Sequence, residues 1–421
     1  MKSDIDAIML ANDIDVLLVV GPAQHNPAMY YLTGGGHLTG ADLIKRQGQP
    51  GALFHGPMER DEAAKAAEKN GLLTRSYTAY PFGQYLKEAN GDRTVASALR
   101  YCAMLKSLGI TAGRVALYGR VDLRTAFPVF FELQKQMPGI TLVGDVADVI
   151  MGSAMITKDA GEVEHIRRMG KITTAVVSEV ADYLAGHAAR DGVLVNPDGT
   201  PVTIGQVKGL IDRWLVERGA ENPEGTIFAI GRDAGVPHSS GNPDDWMRLG
   251  QTIVFDIYPC EARGGYFYDF TRTWCLGYAP DEVMALYESV RSVYNTLSSE
   301  LEVGANFSQY QQRACELFEA MGHPTILNTP DTEEGYVHSL GHGVGLHIHE
   351  RPFSGATALP EDRLAPGAVI TLEPGLYYPS RGMGVRLENT LWVRPDETAS
   401  SRFEVLADYP MDLVLPVKQQ S

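Results

Sequence analysis

Cysteine is scarce in this chain. Only four occur in 421 residues, Cys102, Cys260, Cys275 and Cys315, and none forms a CxxC pair. Neither a disulfide framework nor a thiolate zinc ribbon is expected, and a reducing compartment is the simplest reading. Basic residues are in deficit too: 36 Lys and Arg against 52 Asp and Glu give a formal charge of −16. Such a chain repels a phosphate backbone, so nucleic acid is a poor partner. No segment reaches the roughly 18 uninterrupted apolar residues of a membrane span. The amino end, MKSDIDAIMLANDIDVLLVV, puts Asp4, Asp6, Asp13 and Asp15 ahead of its short apolar run. That is the reverse of a secretory signal, and the cytoplasm is expected. Internal repeats and low-complexity tracts are lacking as well.

What is present suits a soluble globular protein: 44% of residues are apolar and 21% charged, an ordinary balance. The length exceeds what one core usually supports, so two domains of roughly 150 to 260 residues are expected. In the first part, DVLLVV (15–20) and RVALYG (114–119) read as buried strands. LRTAFPVFFELQKQM reads as a helix despite Pro128. Together they predict an α/β domain. The small and turn-forming residues of MGSAMITKDAG (151–161) precede a long helical stripe, Val163, Ile166, Met169, Ile172, Val176, Val180 and Leu184. This sets the boundary, with domains 1–155 and 156–421. Further helices are expected over PVTIGQVKGLIDRWLVERGA, DEVMALYESVRSVYNTLSSEL and FSQYQQRACELFEAMG.

Chemistry concentrates in the last third. Asp256 ends the apolar run TIVFD, and Asp269 follows thirteen residues on, past the Gly264-Gly265 pair, on what reads as the returning strand of a hairpin. His342 lies in GHGVG, Glu373 in TLEPG and Glu388 in GVRLENTLWV. Arg386 and Glu388 are two apart, which on a strand puts both on one face. Taken singly, each has a bland reading: a capping aspartate, a structural histidine, a surface ion pair. Together, four carboxylates and one imidazole form a hard ligand set suited to manganese, cobalt or iron.

Jointly, TIVFDIYP, GYFYDFTRT, VHSLGHGVGLHIHERP, VITLEPGLYYP and GVRLENTLWV resemble the metallopeptidase family of methionine aminopeptidase, aminopeptidase P and prolidase. The resemblance covers roughly residues 158 to 415. It implies an α/β (α+β) protein, a creatinase-like N-terminal α/β domain followed by a C-terminal pita-bread catalytic domain. NPAMYYLTGG is similar to that first domain's own motif. The resemblance implies two divalent metal ions, with Asp269 and Glu388 bridging them, Asp256 completing one, and His342 and Glu373 completing the other. A metal-bridging hydroxide would be the nucleophile and Glu373 the proton shuttle. Manganese is the first candidate, with cobalt, iron or zinc as alternatives.

The proline-directed branch adds three histidines, matched here by His238 in GVPHSSGN, His338 in YVHSLGH and His349 in LHIHERP. The resemblance gives them substrate-carbonyl binding and proton transfer, gives Arg386 support of the metal carboxylates, and gives Tyr377 a substrate-side place. His347 matches no family position and reads as structural. The Asp256 to Asp269 hairpin is two residues longer than the family's spacing. Glu224 stands where proline-directed relatives often carry an aromatic pocket residue. Substrates implied are Xaa-Pro dipeptides (prolidase) or short peptides with proline second (aminopeptidase P), in a homodimer, without nucleic acid or membrane.

The first alternative is another hydrolase or lyase on the same scaffold. A metal-free creatinase-like enzyme is disfavoured because no ligand position has decayed. A sulfoniopropionate lyase is disfavoured by Tyr258 and Ile348, where acidic residues would be expected. An ectoine-type hydrolase stays open. The second alternative, a non-catalytic adaptor, is disfavoured by the intact ligands, the acidic charge and the short tail VLPVKQQS.

Overall fold

The computed structural model describes residues 4–399 and 401–419. Lys2, and Gln420 and Ser421 of the tail, lie outside the described residues. The chain forms two compact units, one built on residues up to Ala154 with Arg263–Gly265, the other on Met155–Ala262 and Tyr266 onward.

The first unit is a six-stranded mixed sheet in the order Leu73–Ser76, Ala52–His55, Ala41–Arg46, Val16–Gly21, Gly113–Gly119, Ile140–Val143. Its adjacent strands Val16–Gly21 and Gly113–Gly119 are the apolar runs expected from the sequence, paired in parallel with Val16 opposite Val115. The helices Arg93–Ser107 and Leu123–Gln136 supply Met104, Leu105 and Leu133 to a core shared with Val16, Leu18 and Phe54. Pro128 sits inside the second helix, which Asp122 caps by accepting from the Arg124 N–H at 2.8 Å. Residues Met151–Met155, expected as a turn, form a short helix instead. Their small and unbranched side chains suit helix as readily as turn.

The second unit opens with a 27-residue helix, Ala160–Gly186, started by a reciprocal capping box between Asp159 and Glu162. Every residue of the expected stripe is buried except Ile172, which is half-buried. On the same helix, a Cβ at Gly170 would lie 2.6 Å from Tyr268 Cε2 and 2.9 Å from the Ala407 Cβ. The missing side chain lets the helix approach the sheet this closely.

The helix Ile204–Glu217 begins later than the pattern suggested, because Thr203 and Gln206 form its capping box and leave Pro201 and Val202 outside. Asp281–Glu300 and Ser308–Ala320 bury Val290, Leu297 and Phe318 against Ile370 and Leu391 of a three-stranded sheet, Val369–Leu372, Asn389–Val393, Phe403–Val405. A second sheet runs Thr226–Ile230, Thr252–Ile257, Phe270–Leu276, Val414–Leu415. No helix among the described residues is long and apolar enough to cross a membrane.

Candidate metal centre

Two strand pairs and one pinned loop bring Asp256, Asp269, His342, Glu373 and Glu388 to the wall of one cavity in the second unit. In the first pair, Thr252–Ile257 runs antiparallel to Phe270–Leu276, with Asp256 opposite Thr271 and Ile257 opposite Phe270. Because strand side chains alternate between faces, Asp256, Tyr258, Thr271 and Asp269 share one face. In the second pair, Val369–Leu372 meets Asn389–Val393 with Leu372 opposite Asn389. One step further along that register sets Glu373 against Glu388.

The loop carrying His342 is closed by two backbone hydrogen bonds between Gly343 and Glu350, each 2.8 Å. A Cβ at Gly343 would lie 2.1 Å from the Arg351 carbonyl oxygen, so only glycine permits this approach. The Glu350 carboxylate is itself held, accepting from Lys158 Nζ at 2.8 Å and from the His347 N–H at 2.9 Å. The closure brings the His342 and His349 rings to a centroid distance of 4.4 Å.

Donor atoms of Asp269, His342 and Glu388 all lie within 4.8 Å of one another. His342 Nε2 is 3.3 Å from Glu373 Oε1 and 3.5 Å from Asp269 Oδ2. Its Nδ1 lies 3.0 Å from the Gly343 carbonyl oxygen. A carbonyl only accepts, so Nδ1 carries the proton and Nε2 turns a lone pair toward the carboxylates. Burial, then the charges of Glu388, Asp256 and Glu373, push Asp269 well above the usual carboxylate range. Burial and the charges of Glu373 and Asp256 do the same to Glu388. Burial, reinforced by Asp256, pushes Glu373 up to about 8.

Asp256 Oδ1 and Glu388 Oε1 are enclosed with no hydrogen-bond partner among the described residues. Buried acceptors left unpaired are costly. Crowded carboxylates with open oxygens beside one imidazole lone pair fit divalent cations that take mixed oxygen and nitrogen ligands.

Behind these groups lies a layer that holds them. Arg386 Nη2 donates to Asp256 Oδ2 at 2.5 Å, and Nη1 to the Tyr377 hydroxyl at 2.8 Å. Burial opposes the arginine's charge, but Tyr377, Asp256, Glu373 and Glu388 outweigh it and hold Arg386 protonated. The Thr271 hydroxyl donates to Glu388 Oε2 at 2.7 Å and accepts from Arg386 Nε at 3.2 Å. The Thr371 hydroxyl donates to Glu373 Oε1 at 3.2 Å and accepts from the His342 N–H at 3.0 Å. Sequence reasoning passed over both threonines. Each stands two residues from a carboxylate along the same strand direction, and the two-residue alternation is the signal that finds them.

Of the three histidines, His338 is the most committed. Its Nδ1 donates to the Ser339 carbonyl at 2.7 Å, so Nε2 must accept from the Tyr377 hydroxyl at 2.9 Å. The polarity therefore runs from Arg386 through Tyr377 to His338. Burial, then the Arg386 charge, push His338 down to about 3, and His349 is pushed down to about 4 by burial and His342. Tyr377, expected on the substrate side, is 0% exposed with its hydroxyl enclosed between Arg386 and His338. His238 and His349 line a cavity of about 620 Å³ that also reaches Glu373, and neither ring nitrogen set has a hydrogen-bond partner among the described residues. His347 is exposed and forms no part of that wall.

Comparison with known proteins agrees with this geometry. The chain is 26% identical over 384 residues to an Xaa-Pro dipeptidase of Pyrococcus horikoshii, covering 91% of each chain. Among solved structures, an Xaa-Pro dipeptidase from Bacillus anthracis superposes with a TM-score of 0.73 at 18% identity over 98% of both chains. An X-Pro aminopeptidase from Thermotoga maritima gives 0.70 at 21% identity, over 96% of this chain and 98% of that one. These likenesses show the fold, the mixed α/β arrangement expected from the sequence and consistent with a pita-bread catalytic domain. Residues 164–395, which carry every side chain of the cluster, match the profile of metallopeptidase family M24, and the chain belongs to that family.

Proposed function

We propose that this protein is a metal-dependent hydrolase of Xaa-Pro peptide bonds that holds two divalent cations, manganese first among them with cobalt, iron or zinc as alternatives. The observation that carries the reading is the shared cavity: His238 and His349 open to the same space as the carboxylate cluster. The names of the relatives, Xaa-Pro dipeptidase and X-Pro aminopeptidase, support the substrate class.

Asp256, Asp269, His342, Glu373 and Glu388 would hold the cations. Bound there, the cations would supply Lewis acidity and lower the pKa of water. The chain's own groups do the rest. An Xaa-Pro bond is a tertiary amide with no N–H, so its nitrogen needs a proton before it can leave. Water adds to the carbonyl carbon; Glu373, oriented by the Thr371 hydroxyl, accepts the proton that water gives up and passes it to the proline nitrogen as the C–N bond breaks. His238 and His349 donate ring N–H groups to the substrate carbonyl oxygen. Arg386 fixes Asp256, and Tyr377 ties Arg386 to His338.

In this reading residues 1–155 form a creatinase-type domain and 156–421 the catalytic domain, in a cytoplasmic homodimer. The four cysteines are free and buried, which suits a reducing compartment. The test is product analysis by mass spectrometry after chelation and reconstitution with manganese or cobalt, offering an Xaa-Pro dipeptide and an Xaa-Pro-Yaa tripeptide together. Metal-dependent release of Xaa from either supports the proposal. Intact peptides in the presence of bound metal overturn it.

A further inference from the structure

A dipeptide brings a problem to this cavity that a longer peptide does not. Cleavage at Xaa-Pro leaves the substrate's free carboxylate only one residue from the scissile bond, within roughly 3.5 Å of chain. It must therefore enter a space already walled by Asp256, Asp269, Glu373 and Glu388. Cations held there balance those four carboxylates, but a substrate carboxylate that enters without a partner of its own still loses its hydration, which is costly. In a longer peptide the same position is a neutral amide.

Two cationic side chains, Arg386 and Lys208, are found among the lining residues. Arg386 is spent on Asp256, Tyr377, Thr271 and the Pro237 carbonyl. Lys208 is not. It stands on the helix Ile204–Glu217 beside the buried Val207, half-buried itself. Its Nζ donates to the Ser240 carbonyl at 3.1 Å, two residues past His238. An ammonium has three donors, so two stay available. Among the described residues no carboxylate forms an ion pair with it. Asp212, one helical turn on, pulls its pKa up, and that carboxylate also accepts from Asn222 Nδ2 at 3.0 Å. Burial lowers the Lys208 pKa, and the charge of Asp212 offsets that only in part.

We propose that Lys208 binds the C-terminal carboxylate of an Xaa-Pro dipeptide and so makes the protein a dipeptidase rather than an aminopeptidase. The inference rests on the Xaa-Pro reading above. Glu224, exposed on the same wall, adds one more negative charge from which a free carboxylate must be kept.

The experiment measures kcat and KM of the metal-reconstituted full chain, and of Lys208→Met, Lys208→Gln and Lys208→Arg, on alanyl-proline and alanyl-prolinamide. Metal content and melting temperature accompany each variant. The wild type should favour the acid over the amide by at least about 10-fold, the scale of a charge-assisted hydrogen bond. Met or Gln at 208 should cut kcat/KM on the acid by about 10- to 100-fold, carried by KM, and bring the acid-to-amide ratio toward one. Arginine should retain most of the preference. If the wild type cuts both equally, or the folded, metal-loaded variants keep its ratio, the anchor assignment fails while the Xaa-Pro reading stands. If the wild type cuts neither, that reading falls and this inference with it.

Discussion

Arg386 and Asp256, 130 residues apart in the chain, share a 2.5 Å hydrogen bond in which Nη2 donates to Oδ2, while Oδ1 of the same carboxylate stays enclosed and unpartnered among the described residues. One oxygen is anchored and the other is left open. Replacing Arg386 with Met should strand the carboxylate's charge and cost about 3 to 5 kcal/mol. It should also weaken metal binding by about 10- to 100-fold. Arg386→Lys should rescue little, since one ammonium cannot span Asp256, Thr271, Tyr377 and Pro237 together. Calorimetric metal titration alongside thermal melting reads both effects. Unchanged affinity in Arg386→Met would remove the arginine from the site.

Asp269→Asn and Glu388→Gln should each lose bound metal and lower turnover by at least about 1000-fold, because they neutralise groups assigned to both cations. The fold should persist, since each change relieves buried like-charge crowding. Elemental analysis and circular dichroism check the two halves of the expectation. Full activity in either variant would overturn the ligand assignment.

His349→Ala should keep its metal and lose about 10²- to 10⁴-fold in kcat, the range of a lost proton donor or acceptor. His338→Ala should also keep its metal, and in addition it removes the acceptor for the Tyr377 hydroxyl. His347→Ala, outside the cavity, should change kcat/KM by less than about threefold. Metal loss in the His349 variant would mean that it is a ligand.

The acid limb of stability should be set in part by Glu261. Burial raises its pKa, but the His165 hydrogen bond and charge, the Tyr266 N–H and Arg168 outweigh burial and lower it below the ordinary 4.5. A depressed carboxylate stabilises the fold above its unfolded value and loses that contribution as pH falls through the folded value. Glu261→Gln should therefore melt below the wild type at pH 7, with the gap closing as the pH drops under 4.5. A gap independent of pH would show that the ion pair contributes nothing.

Gly170→Ala sets two effects against each other. Alanine is the better helix former by about 1 kcal/mol. The new Cβ, however, would meet Tyr268 Cε2 at 2.6 Å and the Ala407 Cβ at 2.9 Å, both packed in the core. Overpacking of that kind costs about 1 to 3 kcal/mol. The melting temperature should fall, and since Tyr268 adjoins Asp269, metal affinity should fall with it. A raised melting temperature would show that the helix can retreat.

Much of this site was legible over short distances of sequence. The Asp256 and Asp269 hairpin follows from the apolar run and the glycine pair between them. Arg386 and Glu388, expected on one strand, instead fall at the end of Met383–Arg386 and just before Asn389–Val393, strands of two different sheets. The long helices were legible from their stripes, with capping boxes at Asp159 and Thr203 fixing where they begin. Other features were out of reach. Whether the Tyr377 hydroxyl faces substrate or Arg386 depends on the packing of a different strand pair, Gly375–Tyr378 against Met383–Arg386. Lys208 reaches the cavity wall only through the placement of its whole helix, and nothing in its neighbours distinguishes it from a solvated lysine.

The register that sets Glu373 against Glu388 has a consequence for how the protein comes into being. Asp256 is translated long before Glu388, and no short segment holds two complete halves of the cluster. Contacts this distant in sequence form late, because loop closure must be achieved before they are rewarded. Until the final strands dock, the early carboxylates have no geometry to offer a cation. The newly made chain is then without hydrolytic power until its last long-range pairing is in place, and activity reports completion of folding.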